Sequence, residues 1–330
     1  MKKRILVTGG AGYIGAHVCL ALAEAGYEPV AFDDFSMGHK EHILFGPLVE
    51  GSILDSTALK AAMDTFSPVG VIHLAGKTLV GESMSRPGLY IQHNVSGAVN
   101  VAEALLNSGS SAFIFSSSCA VYGNPTTETL GENHPKAPVS PYGSSKLLAE
   151  AALEELARQK GLSCIYLRYF NAAGADLEGR IGEWHTPETH LIPLAIEAAL
   201  GAREPLKIFG DDFPTPDKTA VRDYIHVTDL ASAHVLALEK ALADPLSLAL
   251  NIGTGNGYSV KQVVDAVSQH AKVPFSITAR RAGDPPSLVA DARLAQKELN
   301  WKPTNSSLQE IIQSAYYWHA SKLRSSPLKP

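Results

Sequence analysis

Tyr142 and Lys146 stand four residues apart in Tyr142-Gly143-Ser144-Ser145-Lys146. On a helix, positions i and i+4 share one face, about 6 Å apart along the axis. A lysine ammonium can therefore sit beside the tyrosine hydroxyl. A free tyrosine ionises near pH 10, roughly, and a neighbouring positive charge favours the phenolate and lowers that value. A phenol tuned in this way is a general base near neutrality. Ser118 follows the apolar run Phe113-Ile114-Phe115 and offers a second hydroxyl to orient a substrate alcohol and share its proton. Together the three residues describe removal of a proton from an alcohol. A Tyr-x-x-x-Lys pair also occurs on helix surfaces by chance, so its meaning rests on the elements around it.

Those elements read clearly. Ser140 and Pro141 are a capping hydroxyl followed by proline at the first helical position, which predicts a helix from about residue 142 to 160. At the start of the chain, the apolar run Ile5 to Val7 predicts a buried strand. It leads into Gly9-x-x-Gly12-x-x-Gly15 and then a helical pattern with Ile14, Val18, Ala21, Leu22 and Ala25 on one face. Strand, glycine turn and helix make a dinucleotide site, with the pyrophosphate on the free amides and positive end of the helix. Such a site also needs an acid at the end of the second strand. Glu28-Pro29-Val30-Ala31-Phe32-Asp33-Asp34 supplies Asp33 there, a carboxylate that accepts from a ribose 2′-hydroxyl and repels a 2′-phosphate. That selects NAD over NADP.

Strand and helix patterns alternate through the first half. Further strands are predicted at 48–51, 69–74, 113–115 and 162–168, and helices at 56–66 and 86–108, the latter broken early by Pro87 and Gly88. This is the pattern of a parallel sheet covered on both faces. Small residues at Ala75 and Gly76 let a ligand approach the backbone. One crossover separates the strand that carries Ser118 from the tyrosine helix, so both can face the nicotinamide. Beyond Asn171 the texture changes to Gly, Pro, Asp and His, with helices expected at 191–200, 227–240, 260–269, 291–299 and 307–322 and a frayed end at 325–330. The expected fold is α/β, a Rossmann-type doubly wound parallel sheet with a smaller C-terminal α/β substrate domain.

Composition narrows the function. The 330 residues suffice for two domains. A net charge of −5 argues against nucleic acid or an anionic membrane as the main partner. No run approaches the length of a membrane span, and Met1-Lys2-Lys3-Arg4 enters a short strand at once, which is no signal peptide. Cys19, Cys119 and Cys164 form neither a disulfide framework nor a zinc pattern. The expected compartment is the cytoplasm. His39 with His42, and His185 with His190, have suggestive spacing but no third ligand; solvated or hydrogen-bonded histidines are expected and no metal.

The glycine spacing resembles the extended short-chain dehydrogenase/reductase family. Within it the chain is similar, along nearly its whole length, to the UDP-glucose 4-epimerases. The resemblance is carried by 7–15, Val80-Gly81-Glu82-Ser83, Phe115-Ser116-Ser117-Ser118, 140–146, Leu167-Arg168-Tyr169-Phe170-Asn171 and Val221-Arg222-Asp223-Tyr224-Ile225-His226-Val227. It implies Tyr142 as base, Lys146 as its activator and Ser118 as hydrogen-bonding partner. It implies cofactor contacts at Gly9, Gly12, Tyr13, Ile14, Gly15, Asp33, Asp34, Phe35, Ser36, Gly38, Ser52, Ile53, Leu74, Ala75, Gly76, Lys77, His93 and Phe170, with Ser118, Tyr142 and Lys146 shared. The UDP-sugar would meet Asn171, His190, Leu191, Phe209, Arg222, Tyr224, Arg281, Asp284 and Leu288, as well as Ser118 and Tyr142. Arginines suit a diphosphate through paired charged hydrogen bonds. Several positions differ from the family pattern: Ser52 replaces an Asp, Lys77 and Thr78 displace a lysine, His93 replaces an Asn beside the retained Asn94, and His190 replaces an Asn.

The implied reaction interconverts UDP-galactose and UDP-glucose through a 4-keto sugar, with transient hydride transfer to tightly bound NAD. The implied domains are an NAD-binding Rossmann domain at 1–171 and a mainly sugar-nucleotide-binding domain at 172–330, with segments around 222–258 returning to the first. Alternatives are 4-epimerisation of UDP-GlcNAc or UDP-xylose, a 4,6-dehydratase, or a non-catalytic NAD-binding module. A dehydratase needs an acid beside the catalytic serine, where this chain has Cys119-Ala120. The pocket wall is expected in 283–288, and in the family the position of Leu288 gates an N-acetyl group. Relatives pair as two-fold dimers, here through helices of 90–108 and 142–160.

Overall fold

The computed structural model of the protein describes residues 2–281 and 284–325. Met1, Gly283 of the expected pocket wall and 326–330 of the expected frayed end lie outside the described residues. The strands are β1 (Arg4–Thr8), β2 (Glu28–Asp33), β3 (Leu48–Glu50), β4 (Gly70–His73), β5 (Ala112–Ser118), β6 (Ser163–Tyr169), β7 (Asn171–Ala173), β8 (Leu206–Phe209), β9 (Val221–His226), β10 (Ser247–Ile252), β11 (Gly257–Ser259), β12 (Phe275–Thr278) and β13 (Ser287–Leu288). The helices are α1 (Tyr13–Glu24), α2 (Ser56–Phe66), α3 (Val80–Ser85), α4 (Pro87–Tyr90), α5 (Gly97–Asn107), α6 (Pro141–Lys160), α7 (Leu191–Ala199), α8 (Val227–Ala243), α9 (Val260–Ser268), α10 (Arg293–Leu299) and α11 (Leu308–Ser325).

Seven strands form one parallel sheet in the order β10-β6-β5-β4-β1-β2-β3. The chain order reverses between β1 and β4, and a crevice opens at the carboxyl ends of strands at such a reversal. Both faces are covered, which is why β5 reads as a continuous buried run. On one face Val18, Leu22, Leu230 and Leu238 of α1 and α8 pack on Ile5, Val7 and Ile114. On the other, Leu59, Met63, Val101, Leu105 and Leu153 of α2, α5 and α6 pack on Leu6, Val71 and Phe113. Each such side chain contributes about 1.5–3 kcal/mol by leaving water. A separate core joins α7, α9 and α11 to β8 through Ile192, Ile196, Val264, Ile311 and Ile208.

Local sequence explains the ends of the elements. Ser140 accepts from the Gly143 amide at 3.1 Å, Pro141 takes the first helical position, and Gly161 closes α6 at φ 73°. Asp55 caps α2 through the Thr57 and Ala58 amides. No side chain caps α1 and no acid lies in its first turn, so its positive end is kept for a ligand. This helix is buried on most sides, as a helix between two packed layers must be. Ala25, expected on its apolar face, is exposed where the helix ends.

Pro87 and Gly88 do not break the helix expected at 86–108. Pro87 opens it, at the position where a missing N–H is harmless. The irregularity comes later, as a π-turn over Ile91–Ser96 that carries His93 and Asn94. Among the described residues, no helix is long and apolar enough to cross a membrane.

Candidate active site

The glycine turn lies at the strand-order reversal. The Leu74 and Ala75 amides both donate to Thr8 O at 3.0 Å, which ties the end of β4 to that of β1. A Cβ on Gly9, whose φ is +73°, would stand 2.7 Å from the Ala75 amide nitrogen, and one on Gly15 would stand 2.0 Å from Gly9 O. The turn is thus folded into a cradle that any side chain would fill, as a pyrophosphate site requires. Asp33 is buried at the end of β2, its Oδ2 accepting from the Ala11 amide and its Oδ1 from the Phe35 amide, each at 2.9 Å. Burial raises its pKa while those two amides pull it back. The adjoining loop is built by Phe35 at φ 56° and by Asp34, which accepts from the Ser36 amide. Gly38 sits against this carboxylate and Ala11. These residues fit NAD, whose ribose hydroxyls would reach the two remaining lone-pair directions of Asp33.

Ser118 ends β5 beside this crevice, and Tyr142 and Lys146 share the first turns of α6. The Ser118 hydroxyl lies close enough to the Tyr142 phenol to lower its pKa, and it accepts from the Ala120 amide at 3.2 Å. The Lys146 ammonium is buried, donates to Ser116 O at 2.7 Å and lies 5.0 Å over the Phe115 ring. A Cβ on Gly76, at the end of β4, would come within 3.8 Å of that ammonium. Asn94 locks the arrangement: its amide donates to Lys77 O at 3.0 Å and Ser145 Oγ at 2.9 Å, and its Oδ1 accepts from the Lys77 amide at 2.8 Å. Ser52 accepts weakly from the Leu54 amide, and Ile53 is buried beneath Gly97. His93 is half-buried on the π-turn, its pKa lowered by burial.

The electrostatics differ from the expectation that Lys146 would make Tyr142 acidic. Burial raises the phenol's pKa above its ordinary value, the Tyr169 phenol raises it further and the Ser118 hydroxyl lowers it. Burial also brings Lys146 down to about 8, against a raising effect of Glu150. The reason is desolvation: the protein alone makes a dry site that penalises both charged forms. His73, hydrogen-bonded to Thr8 at 2.7 Å, is held neutral, its pKa lowered to about 3 by burial and by Lys146.

β9 organises the side where the sugar nucleotide is expected. It pairs with β7, β11 and β13, and the register sets Leu288 opposite Arg222 and Asn171 opposite Tyr224. Arg222 is ion-paired with Asp284, so this acid is engaged with the arginine. The Arg222 charge also acts on Cys119, next to Ser118. Leu288 and Cys119 pack on the cluster that holds Phe170, which is buried. Arg281 lies 4.0 Å over the Phe209 ring. His190 precedes α7, which Leu191 opens, and its ring is held by Glu183 and Glu188. Tyr13 is buried, its hydroxyl donating to Gly174 O at 2.7 Å, while Ile14 is half-buried.

Some neighbours were missed by reading the sequence. Tyr90 meets the Tyr142 ring edge-on at 6.4 Å, and Tyr169 reaches the site through its hydrogen bond with Ser116. Tyr90 carries no motif signal, and Tyr169 lies in the segment 167–171, whose other residues drew the site assignments. The partners Glu183 and Glu188 of the paired histidines were readable, since they alternate with His185 and His190.

The sequence matches the NAD dependent epimerase/dehydratase family over residues 5–253. The chain belongs to that family. It is 49% identical over 323 residues to the UDP-glucose 4-epimerase of Rhizobium meliloti, covering 97% of this chain and 98% of that one. Its fold superposes on the UDP-glucose 4-epimerase from Brucella ovis in complex with NAD with a TM-score of 0.94, at 46% identity, 96% of this chain and 98% of that chain. The enzyme from Stenotrophomonas maltophila with bound NAD and formylated UDP-arabinopyranose gives 0.95 at 37% identity, over 98% and 100%. NAD is therefore the cofactor of this epimerase-family chain.

Proposed function

We propose that this protein is a UDP-glucose 4-epimerase, interconverting UDP-galactose and UDP-glucose, with Tyr142 as proton acceptor. The single observation that carries the reading is the convergence of Ser118, at the end of β5, with Tyr142 and Lys146 on the first turns of α6, where the Ser118 hydroxyl acts on the Tyr142 phenol and Cys119, not a carboxylic acid, follows Ser118. When bound, NAD supplies the hydride acceptor for C4, gives the hydride back, and brings a cationic ring that favours the phenolate. Ser118 orients the sugar 4-hydroxyl toward the phenol. Tyr142 holds the proton while C4 is a ketone and returns it afterwards. Lys146 supplies the positive charge that keeps this proton mobile. Arg222 anchors the diphosphate, so the sugar can turn while the nucleotide stays in place. Cys119 and Ala120 follow Ser118, and neither provides the acid that elimination of water requires.

The experiment is incubation with UDP-galactose without added NAD, with product identification. UDP-glucose is the expected product, and Tyr142→Phe should lower the rate by about 10²–10⁴. A rate unchanged by that substitution removes Tyr142 as the base. Action on N-acetylated sugars is a second reading, supported by Leu288, which is smaller than a gating tyrosine.

The cytoplasm is the proposed location and a two-fold homodimer the proposed assembly. Exposed Val80, Met84, Ile91 and Leu148 lie on α3, the π-turn and α6, the first two packed on the third, and are apolar side chains of the kind that a second copy covers. Light scattering of the native chain and of Leu148→Glu tests it; a native monomer overturns it.

A further inference from the structure

We propose that Glu183, His185, Glu188 and His190 form a site for one divalent transition-metal ion of the zinc class. It is separate from the proton-transfer site. One ligand atom from each residue lies within 4.8 Å of the other three. A tetrahedral ion with bonds of about 2.0–2.1 Å spaces its ligand atoms about 3.3 Å apart. The His185 Nδ1 stands 3.2 Å from Glu183 Oε1 and 3.7 Å from Glu188 Oε2. The His190 Nδ1 stands 2.7 Å from Glu183 Oε1 and 2.9 Å from Glu188 Oε1. These nitrogen–oxygen separations, which involve both Glu188 oxygens, run from 2.7 to 3.7 Å, around the tetrahedral value.

Without an ion, the two carboxylates hold both imidazoles protonated against the lowering effect of burial, raising His185 to about 9 and His190 to about 10, and a bound cation would displace those protons. Each imidazole turns one nitrogen toward both carboxylates, and one N–H points well at a single acceptor. A cation among the four atoms satisfies all of them at once. Two carboxylates and two neutral imidazoles carry a charge of −2, which a divalent ion cancels. Mixed nitrogen and oxygen donors suit zinc and its first-row neighbours and exclude the all-oxygen preference of calcium or magnesium.

A second observation points the same way. His319 on α11 is buried, and its Nε2 has no hydrogen-bond partner. It lines a cavity of about 160 Å³ together with Glu183, His185 and Glu188. A metal-bound water there would give this nitrogen its partner. Glu183 and Glu188 side chains are 4% and 6% exposed and His190 is 50% exposed, so the acids are sequestered while one edge admits an ion from solvent. The ion would staple residues 183–190 to α11, where Trp318 already donates to Glu183 O at 2.8 Å, and would fix the start of α7.

The test uses the full-length protein, stripped with a chelator and dialysed, then titrated with zinc chloride by calorimetry and loaded with Co²⁺ for its visible spectrum. One equivalent of zinc and the intense absorption of tetrahedral cobalt are expected. His185→Gln and Glu188→Gln should each weaken zinc binding more than about a hundredfold, beyond the loss that removing a supporting partner causes. The exposed His270→Gln should retain the equivalent. Absence of stoichiometric uptake by the native chain overturns the proposal, as does equal uptake by the ligand variants and His270→Gln. Should a ligand variant fail to fold, anomalous diffraction at the zinc edge on the native protein decides: a peak among the four side chains supports the site, and its absence there refutes it.

Discussion

Lys146 aims its ammonium at the backbone carbonyl of Ser116, 2.7 Å away, and buries it over the Phe115 ring. The charge is thus fixed by main chain at the end of β5, the strand that also carries Ser118. An ammonium placed so deep destabilises the fold, and its function must lie in the site.

Lys146→Met should therefore lower turnover and raise stability. The Lys146 pKa falls from 10.5 to about 8 on folding. Below about pH 8 both states hold the proton, and the folded state bears the whole desolvation cost. Between about 8 and 10.5 the folded protein releases it and the cost fades. The difference corresponds to roughly 3 kcal/mol, less about 1 for the lost bond to Ser116. A net gain of about 1–2 kcal/mol is expected at pH 7, shrinking as pH rises past 8. Urea titrations at pH 7 and 10 check it; a native chain more stable than the variant at both would refute it.

Ser118→Ala should move the acidic limb of the pH–rate profile, where the base loses its proton, upward, because the Ser118 hydroxyl is what pulls the buried Tyr142 phenol down. A rate loss of about 5–100-fold accompanies removal of one such hydroxyl. A slower enzyme with an unmoved limb would leave Ser118 with orientation alone.

Glu150 and Arg168 form a buried double hydrogen-bonded pair, at 2.8 and 2.6 Å. Glu150→Gln leaves the guanidinium uncompensated, for an expected cost of about 3–5 kcal/mol. It also removes the charge that raises the Lys146 pKa, so that value should fall further. Thermal melts and a lysine titration followed by NMR read the two effects separately.

Leu288 pairs with Arg222 in register and packs near Phe170. Leu288→Tyr should reduce action on UDP-GlcNAc by about tenfold or more, since a crowded pocket rejects added bulk strongly, with smaller loss on UDP-galactose. Equal ratios of the two rates in parent and variant would show that this position does not gate.

The sheet was legible because its signals are local: Ile5 to Val7 before glycines, Ser140-Pro141 before a helix, buried runs between them. The Tyr142–Lys146 spacing followed from helix geometry in the same way. What escaped depends on pairing across the chain. The Asp284 partner of Arg222 lies 62 residues away, and the Glu150 partner Arg168 lies on the neighbouring strand. The direction of the Tyr142 shift escaped for a related reason, since burial is a property of the packed molecule. The π-turn at Ile91–Ser96 has no residue-level signature, since the sequence Ile-Gln-His-Asn-Val-Ser carries no glycine or proline to mark it.

Asp33 has a consequence for cofactor choice. Its two oxygens are already clasped by the Ala11 and Phe35 amides, so the carboxylate keeps its rotamer whether or not a nucleotide is present. A group that cannot swing aside leaves a 2′-phosphate no way to be accommodated. On the proposed seat of NAD against Asp33, preference for the unphosphorylated dinucleotide would rest on main-chain geometry as well as on charge.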